Sequence, residues 1–365
     1  MENKVFAQRQ ALLKKLIGPQ IPRLWCPPLT HYTETGALDT ARQAAHWRTM
    51  QSHVGGFLVP GSTGDGWEMS EEEIDTLLDA TLDLCATLGT RILVGVLRTD
   101  VNAMLAAIER AAARLRARTS KNDLLAAMVQ AGVIGFTVCP PRGANLTQAQ
   151  LQAGLEAVLD LGLPIAIYQL PQVTRNEMSP GLVADLAARY PNFILFKDSS
   201  GEDRIPLADR GQSGIFLMRG AESDYAQWLR ESGGPYHGLL LSTANSFPAQ
   251  LREMIVRLEP ASPGSDEKES APSAKSVDTF EAAHTLSATL TRVVKAVFAL
   301  VADIPHGNAF ANANKAMDHW MAYGANAADI APPLLHAGAR LPEVVIAKTG
   351  KVLADVGWLP KQGYL

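Results

Sequence analysis

Eight short apolar segments in the first 243 residues constrain the fold of this chain more than any other feature. Most are nearly continuous apolar runs rather than alternating ones, which is typical of parallel strands covered on both faces. Patterns typical of helices lie between them. The apolar runs span residues 23–30, 56–63, 91–96, 135–141, 164–171, 193–200, 214–220 and 238–243.

Sequence patterns typical of helix starts support the prediction of helices between the apolar runs. Ser70 with Glu73 and Thr147 with Gln150 have the spacing of a capping box, in which two side chains satisfy free backbone N–H groups at a helix start. Proline at the first helical position is expected at residues 180 and 248. The long connection 97–134 predicts two helices, divided near residues 116–123.

Eight strands that alternate with helices predict a (β/α)8 barrel. A doubly wound sheet is the alternative, but the count of eight and the lack of a GxGxxG turn after the first strand favour the barrel. The segment 259–276 is rich in Pro, Ser and charged residues and predicts a disordered loop. The predicted organisation is an N-terminal helical segment (1–20), the barrel (21–258), this loop (259–276) and a C-terminal helical extension (277–365).

Composition narrows the class of protein. The 33 basic and 37 acidic residues give a net charge of −4 with no concentrated patch, so neither nucleic acid nor a membrane is expected as a partner. Three widely spaced cysteines are typical of reduced thiols. The charged N-terminus does not resemble a secretory signal, and no apolar run approaches the roughly 20 residues of a membrane span. We expect a soluble, cytoplasmic protein.

The strand ends carry the candidate chemistry, because active sites of such barrels lie at the C-terminal ends of the strands. Lys197 is predicted to end the sixth strand, Tyr168 to end the fifth, and Ser242 to follow the eighth. A lysine attacks a ketone only when unprotonated, so burial would have to lower its pKa from about 10.4. Alternatively, Lys197 simply reaches for water at a strand end. Tyr168 could transfer protons or only pack its ring in the core.

The loop after the second run is a candidate anion site. Gly61, Ser62, Thr63 and Gly64 could bind a carboxylate through backbone N–H groups and hydroxyls. It could equally be a glycine-rich turn before the next helix, and it lacks the lysine of a P-loop. We predict no metal site, because the histidines, among them residues 31, 237, 306 and 319, lack ligand spacing. Cys139 is expected to be a buried filler rather than a nucleophile.

Four motifs in order resemble those of the dihydrodipicolinate synthase / N-acetylneuraminate lyase family of Schiff-base aldolases. The resemblance covers about residues 20–258 and extends weakly into the C-terminal helices. The motifs are GSTGDGWEMSEEE from residue 61, YQLP from 168, FKDSSG from 196 and GLLLSTANSFP from 238.

This resemblance implies a barrel that assembles as a homotetramer. It implies that Lys197 forms an imine with pyruvate or another 2-oxo acid, that Tyr168 shuttles protons, and that Ser62 and Thr63 hold the substrate carboxylate. It implies no metal and no organic cofactor, because the protonated imine itself withdraws electrons.

Departures from the family pattern bear on the reaction. Pro141 and Arg142 stand where the synthases carry a tyrosine pair, and Val173 stands where they carry an arginine for the second substrate's carboxylate. Gln169 and Asp65 replace an asparagine and a glutamate. The sequence therefore favours an aldolase or dehydratase for a sugar-derived or aromatic 2-oxo acid. The alternatives are 4-hydroxy-tetrahydrodipicolinate synthase proper and a non-catalytic barrel that binds a 2-oxo acid.

Overall fold

The eight predicted strands form a closed parallel barrel. The computed structural model describes residues 2–259 and 274–365. Each strand pairs with its neighbours in chain order, and β1 closes the barrel on β8. The strands are β1 Leu24–Cys26, β2 Gly56–Val59, β3 Ile92–Val96, β4 Val133–Val138, β5 Ile165–Gln169, β6 Phe193–Asp198, β7 Phe216–Arg219 and β8 Gly238–Leu240.

Helices separate successive strands, as predicted, except between β7 and β8, where the described residues form only two short 3₁₀ helices, Ala226–Trp228 and Arg230–Ser232. Further helices follow the barrel. The α-helices are α1 Glu2–Ile17, α2 Thr40–Met50, α3 Glu71–Leu88, α4 Val101–Thr119, α5 Leu124–Ala131, α6 Gln148–Leu159, α7 Pro171–Thr174, α8 Pro180–Arg189, α9 Arg204–Asp209, α10 Pro248–Leu258, α11 Ala274–Val301, α12 Ala309–Tyr323 and α13 Glu343–Asp355.

The predicted helix starts are confirmed. Ser70 and Glu73 form a reciprocal capping box at α3, and Thr147 and Gln150 form another at α6. Proline occupies the first turn of both α8 and α10. The connection between β3 and β4 holds α4 and α5, which are separated at residues 120–123. These local signals determine where the barrel helices begin.

Helix α1 closes the amino-terminal end of the barrel. Its Leu13, Leu16 and Ile17 join the side chains that fill the barrel interior, such as Trp25 and Ile194. The buried guanidinium of Arg9 donates hydrogen bonds to the carbonyl oxygens of residues 193 and 190, at 2.6 and 2.8 Å. This end is therefore filled, and the open mouth is at the carboxyl ends of the strands.

The C-terminal helices pack on the barrel. The apolar side of α11 packs in the main core through Leu290, Val293 and Val297. By length and composition alone, its Asp278–Val301 portion could cross a membrane, although 39% of the tested window is buried inside the protein. Of the predicted loop 259–276, residues 260–273 lie outside the described residues, where the loop stays a prediction. Residues 274–276 were predicted as loop but belong to α11.

Candidate active site

Lys197 and Tyr168 lie side by side inside the barrel mouth. They are direct partners in the pairing of β5 with β6, so both side chains point to the same side of the sheet. The Lys197 ammonium nitrogen, Nζ, lies 4.1 Å from the centroid of the Tyr168 ring. The two residues are only 4% and 3% exposed. The alternative that Lys197 reaches for water is wrong.

Burial changes the proton affinity of the amine. It lowers the pKa of Lys197 from 10.5 to about 8, because an ammonium ion loses its hydration inside the barrel. The Glu222 carboxylate acts in the opposite direction and limits the decrease. Burial likewise raises the pKa of Tyr168, while the hydroxyls of Ser199 and Ser62 oppose that rise. The site thus holds a weakly basic amine beside a protonated phenol.

Glu222 is a site residue that the sequence analysis missed. One carboxylate oxygen accepts hydrogen bonds from the backbone N–H and the hydroxyl of Ser242, both at 2.6 Å. The other accepts from the Thr243 hydroxyl at 2.6 Å and the Tyr225 hydroxyl at 3.4 Å. Its position three residues after β7, at the same rim as Lys197, is the signal that could have identified it.

The loop after β2 requires glycine at both ends of its Ser-Thr pair. A Cβ atom on Gly61 would lie 2.5 Å from Pro27 Cβ, and one on Gly64 would lie 2.6 Å from the carbonyl oxygen of Pro28. Close packing against the loop after β1 therefore excludes larger residues. Between these glycines, Ser62 is half-buried and Thr63 is 3% exposed.

Ser62 is held from two directions. Its hydroxyl oxygen accepts a hydrogen bond from Trp67 Nε1 at 2.8 Å, and its carbonyl oxygen accepts one from Asn308 Nδ2 at 3.0 Å. The hydroxyl of Ser62 also acts on the proton affinity of Tyr168. The structure therefore brings Ser62 to the site of Lys197 and Tyr168, as the sequence predicted. Asn308 precedes α12 and was not anticipated.

Ser242 lies at the rim of the barrel, but its hydroxyl already forms two hydrogen bonds within the protein. Its hydroxyl donates to Glu222 and accepts a hydrogen bond from Asn314 Nδ2 on α12 at 2.8 Å. Ser242 therefore connects Glu222 to the C-terminal helices. Its own contact with a substrate remains a prediction.

The cysteines are buried in this region. Burial raises the pKa of Cys139 to about 12, and that of Cys26 well above its usual range. Thiols with such a high pKa carry almost no thiolate at neutral pH and are poor nucleophiles. This supports the interpretation of Cys139 as a filler.

One buried cluster has the residue types of a metal centre. His31, His46 and Asp318 offer ligand atoms within 4.8 Å of one another. The histidine rings are hydrogen-bonded to each other at 3.0 Å, His46 Nε2 contacts the Asn245 carbonyl oxygen at 2.9 Å, and Arg42 contacts Asp318 at 3.2 Å. A cation would have to break these bonds beside a guanidinium. We interpret the cluster as a link between α2 and α12.

The sequence is similar to one known family of proteins. The family model described as "Dihydrodipicolinate synthetase family" matches residues 20–302. A 4-hydroxy-tetrahydrodipicolinate synthase of Xanthomonas axonopodis pv. citri is 30% identical over 232 residues, which are 62% of this chain and 68% of that protein.

Two solved structures have the same fold. YagE of E. coli K12, a protein solved in complex with pyruvate, has a TM-score of 0.68 and 20% identity, with 92% of this chain and 99% of that chain covered. The 2-keto-3-deoxygluconate aldolase of Sulfolobus sulfataricus, solved with D-KDPG, has a TM-score of 0.63 and 13% identity, with 92% and 96% covered. At such identities the likeness concerns the fold alone.

Proposed function

The chain belongs to the dihydrodipicolinate synthetase family, and we propose that it is a lyase in which Lys197 forms a Schiff base with pyruvate or another 2-oxo acid. The observation that carries this proposal is the burial of Lys197 beside Tyr168, with a pKa lowered to about 8. At pH 7 about one such amine in ten is neutral, against about one in three thousand at a pKa of 10.5. The buried site therefore favours nucleophilic attack.

Imine formation needs a proton donor close to the amine. The neutral amine adds to the ketone carbon, and the resulting hydroxyl leaves as water once it has received a proton. Tyr168 is the candidate donor, because its raised pKa keeps the phenol protonated and its ring contacts Lys197. In the next step the protonated imine becomes an enamine by losing a proton from the neighbouring carbon, and the Tyr168 phenolate accepts that proton.

The same imine supports cleavage of a carbon–carbon bond. In the imine of a 4-hydroxy-2-oxo acid, the hydroxyl gives its proton to the Tyr168 phenolate and the bond between C3 and C4 breaks. The bonding electrons enter the imine, which yields an enamine and a free aldehyde. Protonation of the enamine and hydrolysis by water then release pyruvate and restore Lys197. Condensation is the reverse of these steps.

The loop after β2 is the proposed carboxylate site. Gly61 and Gly64 bring its backbone close to the barrel, while Ser62 and Thr63 offer hydroxyl donors. The Ser62 oxygen accepts a hydrogen bond from Trp67, which fixes the position of its hydroxyl. Ser242 belongs to the same rim, where its bonds favour a role in holding Glu222.

The assembly and location of the protein are part of this proposal. We propose a cytoplasmic homo-oligomer, a tetramer by family resemblance, that needs no cofactor. The free thiols of Cys26, Cys85 and Cys139 suit a reducing compartment. Sedimentation analysis of the purified chain tests the tetramer, and a stable monomer at micromolar concentration would contradict it.

Turnover tests the proposed reaction. The protein is incubated with a series of 4-hydroxy-2-oxo acids, and released pyruvate is measured with a coupled dehydrogenase. We expect pyruvate release by the wild type and a loss of at least a thousandfold in Lys197→Met, which retains the buried aliphatic stem. Equal rates for the two proteins would refute the proposal.

A second candidate is 4-hydroxy-tetrahydrodipicolinate synthase, which is the name of the curated relatives. Condensation of pyruvate with aspartate semialdehyde tests it directly. Val173 lies half-buried against an apolar cluster, where it offers no charge to a second carboxylate. We therefore expect little turnover in that assay.

A further inference from the structure

Apolar side chains cover one side of the proposed active site. Cys139 and Leu170 follow β4 and β5 and are fully buried against Tyr168. Trp67 and Val173 are half-buried and pack on the same cluster. We call the residues Trp67, Cys139, Leu170 and Val173 the apolar wall. Its half-buried members keep surface that a ligand beside Tyr168 could cover.

Trp67 is fixed in this wall. It comes from the loop after β2 and packs on the cluster of Cys139, Tyr168 and Leu170. Its Nε1 donates a hydrogen bond to the Ser62 hydroxyl at 2.8 Å. This hydrogen bond fixes the indole beside the proposed carboxylate site, so that it offers a preorganised aromatic surface to a flat or branched apolar group.

The opposite side of the barrel mouth is polar, but its polar groups already form hydrogen bonds with one another. Both oxygens of the Glu222 carboxylate accept hydrogen bonds from the segment after β8, through Ser242 and Thr243. Few of these groups are left to bind a sugar hydroxyl. The carboxylate would also repel a second negative charge on a substrate.

Two arginines lie close to members of the apolar wall in the sequence, but their side chains are on the protein surface. Arg142 and Arg175 are both exposed, on the loops after β4 and β5. A substrate carboxylate that reached either of them would lie in water, where a charge pair contributes little. These arginines therefore do not make the wall a site for an anionic group.

We propose that the apolar wall binds the aldehyde half of the substrate, and that this half carries an aromatic or branched alkyl group rather than a polyol or a second carboxylate. The inference rests on the proposed function. The wall lies against Tyr168, the residue that would exchange a proton with the aldehyde oxygen as the carbon–carbon bond breaks or forms. The reacting atoms and the apolar group would then be positioned together.

The wild-type protein tests this with a panel of aldehydes in the condensation direction. Benzaldehyde and isobutyraldehyde represent the apolar class, glyceraldehyde the polyols and succinic semialdehyde the anions, each with saturating pyruvate. We expect kcat/KM for benzaldehyde to exceed that for glyceraldehyde and succinic semialdehyde at least tenfold. Equal or inverted values, or no turnover of either apolar aldehyde, overturn the inference.

Trapping with pyruvate alone separates this inference from the proposed function. Borohydride reduction of the pyruvate imine involves no aldehyde, so it depends on Lys197 and not on the wall. No adduct would refute the Schiff-base proposal and the inference with it. An adduct together with a preference for glyceraldehyde or succinic semialdehyde would refute the inference alone.

A charge placed in the wall gives a second test. Val173→Arg should reduce kcat/KM for benzaldehyde at least tenfold and increase that for succinic semialdehyde. The matched control is Val344→Arg on α13, where the side chain is 56% exposed and the aldehyde preference should not change. An unchanged preference in Val173→Arg that still traps pyruvate would overturn the inference. If the variant fails to trap pyruvate, the wild-type panel decides.

Discussion

Lys315 Nζ on α12 lies 2.8 Å from the Asp65 carboxylate in the loop after β2, and the two residues are 2% and 1% exposed. The ammonium also lies 4.6 Å from the ring of Tyr32, whose hydroxyl donates to the same carboxylate at 3.0 Å. A C-terminal helix thus holds the loop that carries Ser62 and Thr63. The C-terminal extension is part of the structure of the site.

Lys315→Met should destabilise the protein and loosen this loop. It leaves the buried Asp65 carboxylate without its cation, which typically costs about 3–5 kcal/mol. We also expect KM for the 2-oxo acid to rise more than kcat falls. Urea denaturation and steady-state kinetics measure the two effects. The control is Lys351→Met, which removes a solvent-exposed pair with Asp355 and should cost about 0.5 kcal/mol or less. Equal losses in the two variants would contradict this role.

The rate of imine formation should depend on pH through the amine of Lys197. Its pKa of about 8 means that the neutral form grows tenfold per unit below that value and levels off above it. Single-turnover formation of the pyruvate imine, measured from pH 6 to 10, should therefore rise to a midpoint near 8. A rate that still rises about tenfold per unit up to pH 10 would show an amine with an ordinary pKa.

Glu222→Gln should move this midpoint to lower pH. The negative carboxylate raises the pKa of Lys197, so its neutral isostere removes that contribution and leaves burial to dominate. The glutamine oxygen can still accept from Ser242, and its NH2 group can donate to the Thr243 hydroxyl, so the local packing is kept. The same pH series measures the shift. A midpoint that stays at the wild-type value, or that rises, would exclude an electrostatic effect of Glu222.

Tyr168→Phe should slow turnover by about 10² to 10⁴, the usual contribution of a general acid–base group. The ring contact with Lys197 is retained in this variant, and only the hydroxyl is lost. Lys197 should therefore still form a trappable adduct, but slowly. Rapid-quench trapping beside steady-state assays separates the two effects. Wild-type turnover in the variant would assign the proton transfer to another group.

The barrel could be predicted from the sequence because its signals are local. Seven of the eight apolar runs contain their strand entirely, and β4 begins at Val133, two residues before the run 135–141. Some strands are much shorter than the run. The run 23–30, for example, contains only Leu24–Cys26. The residues that follow, up to Thr30, are as buried as the strand itself, so burial alone could not mark the strand end. Capping boxes marked the starts of α3 and α6 correctly because they need only four consecutive residues.

The contacts that complete the site could not be predicted in this way. The hydrogen bonds that hold Glu222 form only because the segment after β8 folds back onto it, and Lys315 joins the site only because α12 crosses a loop 250 residues earlier in the chain. The cluster of His31, His46 and Asp318 is likewise assembled from distant segments. Such pairings leave no periodicity in the sequence. Lys197 and Tyr168 were found because both lie at ends of strands whose order the fold fixes.

Identifying the residue that carries the adduct formed with pyruvate tests directly whether Lys197 forms the Schiff base. The protein is treated with pyruvate and sodium borohydride, digested, and its peptides are sequenced by mass spectrometry. We expect one reduced pyruvate adduct, on Lys197, which is absent without pyruvate and absent in Lys197→Met. An adduct on another lysine, or none under conditions of turnover, would contradict it.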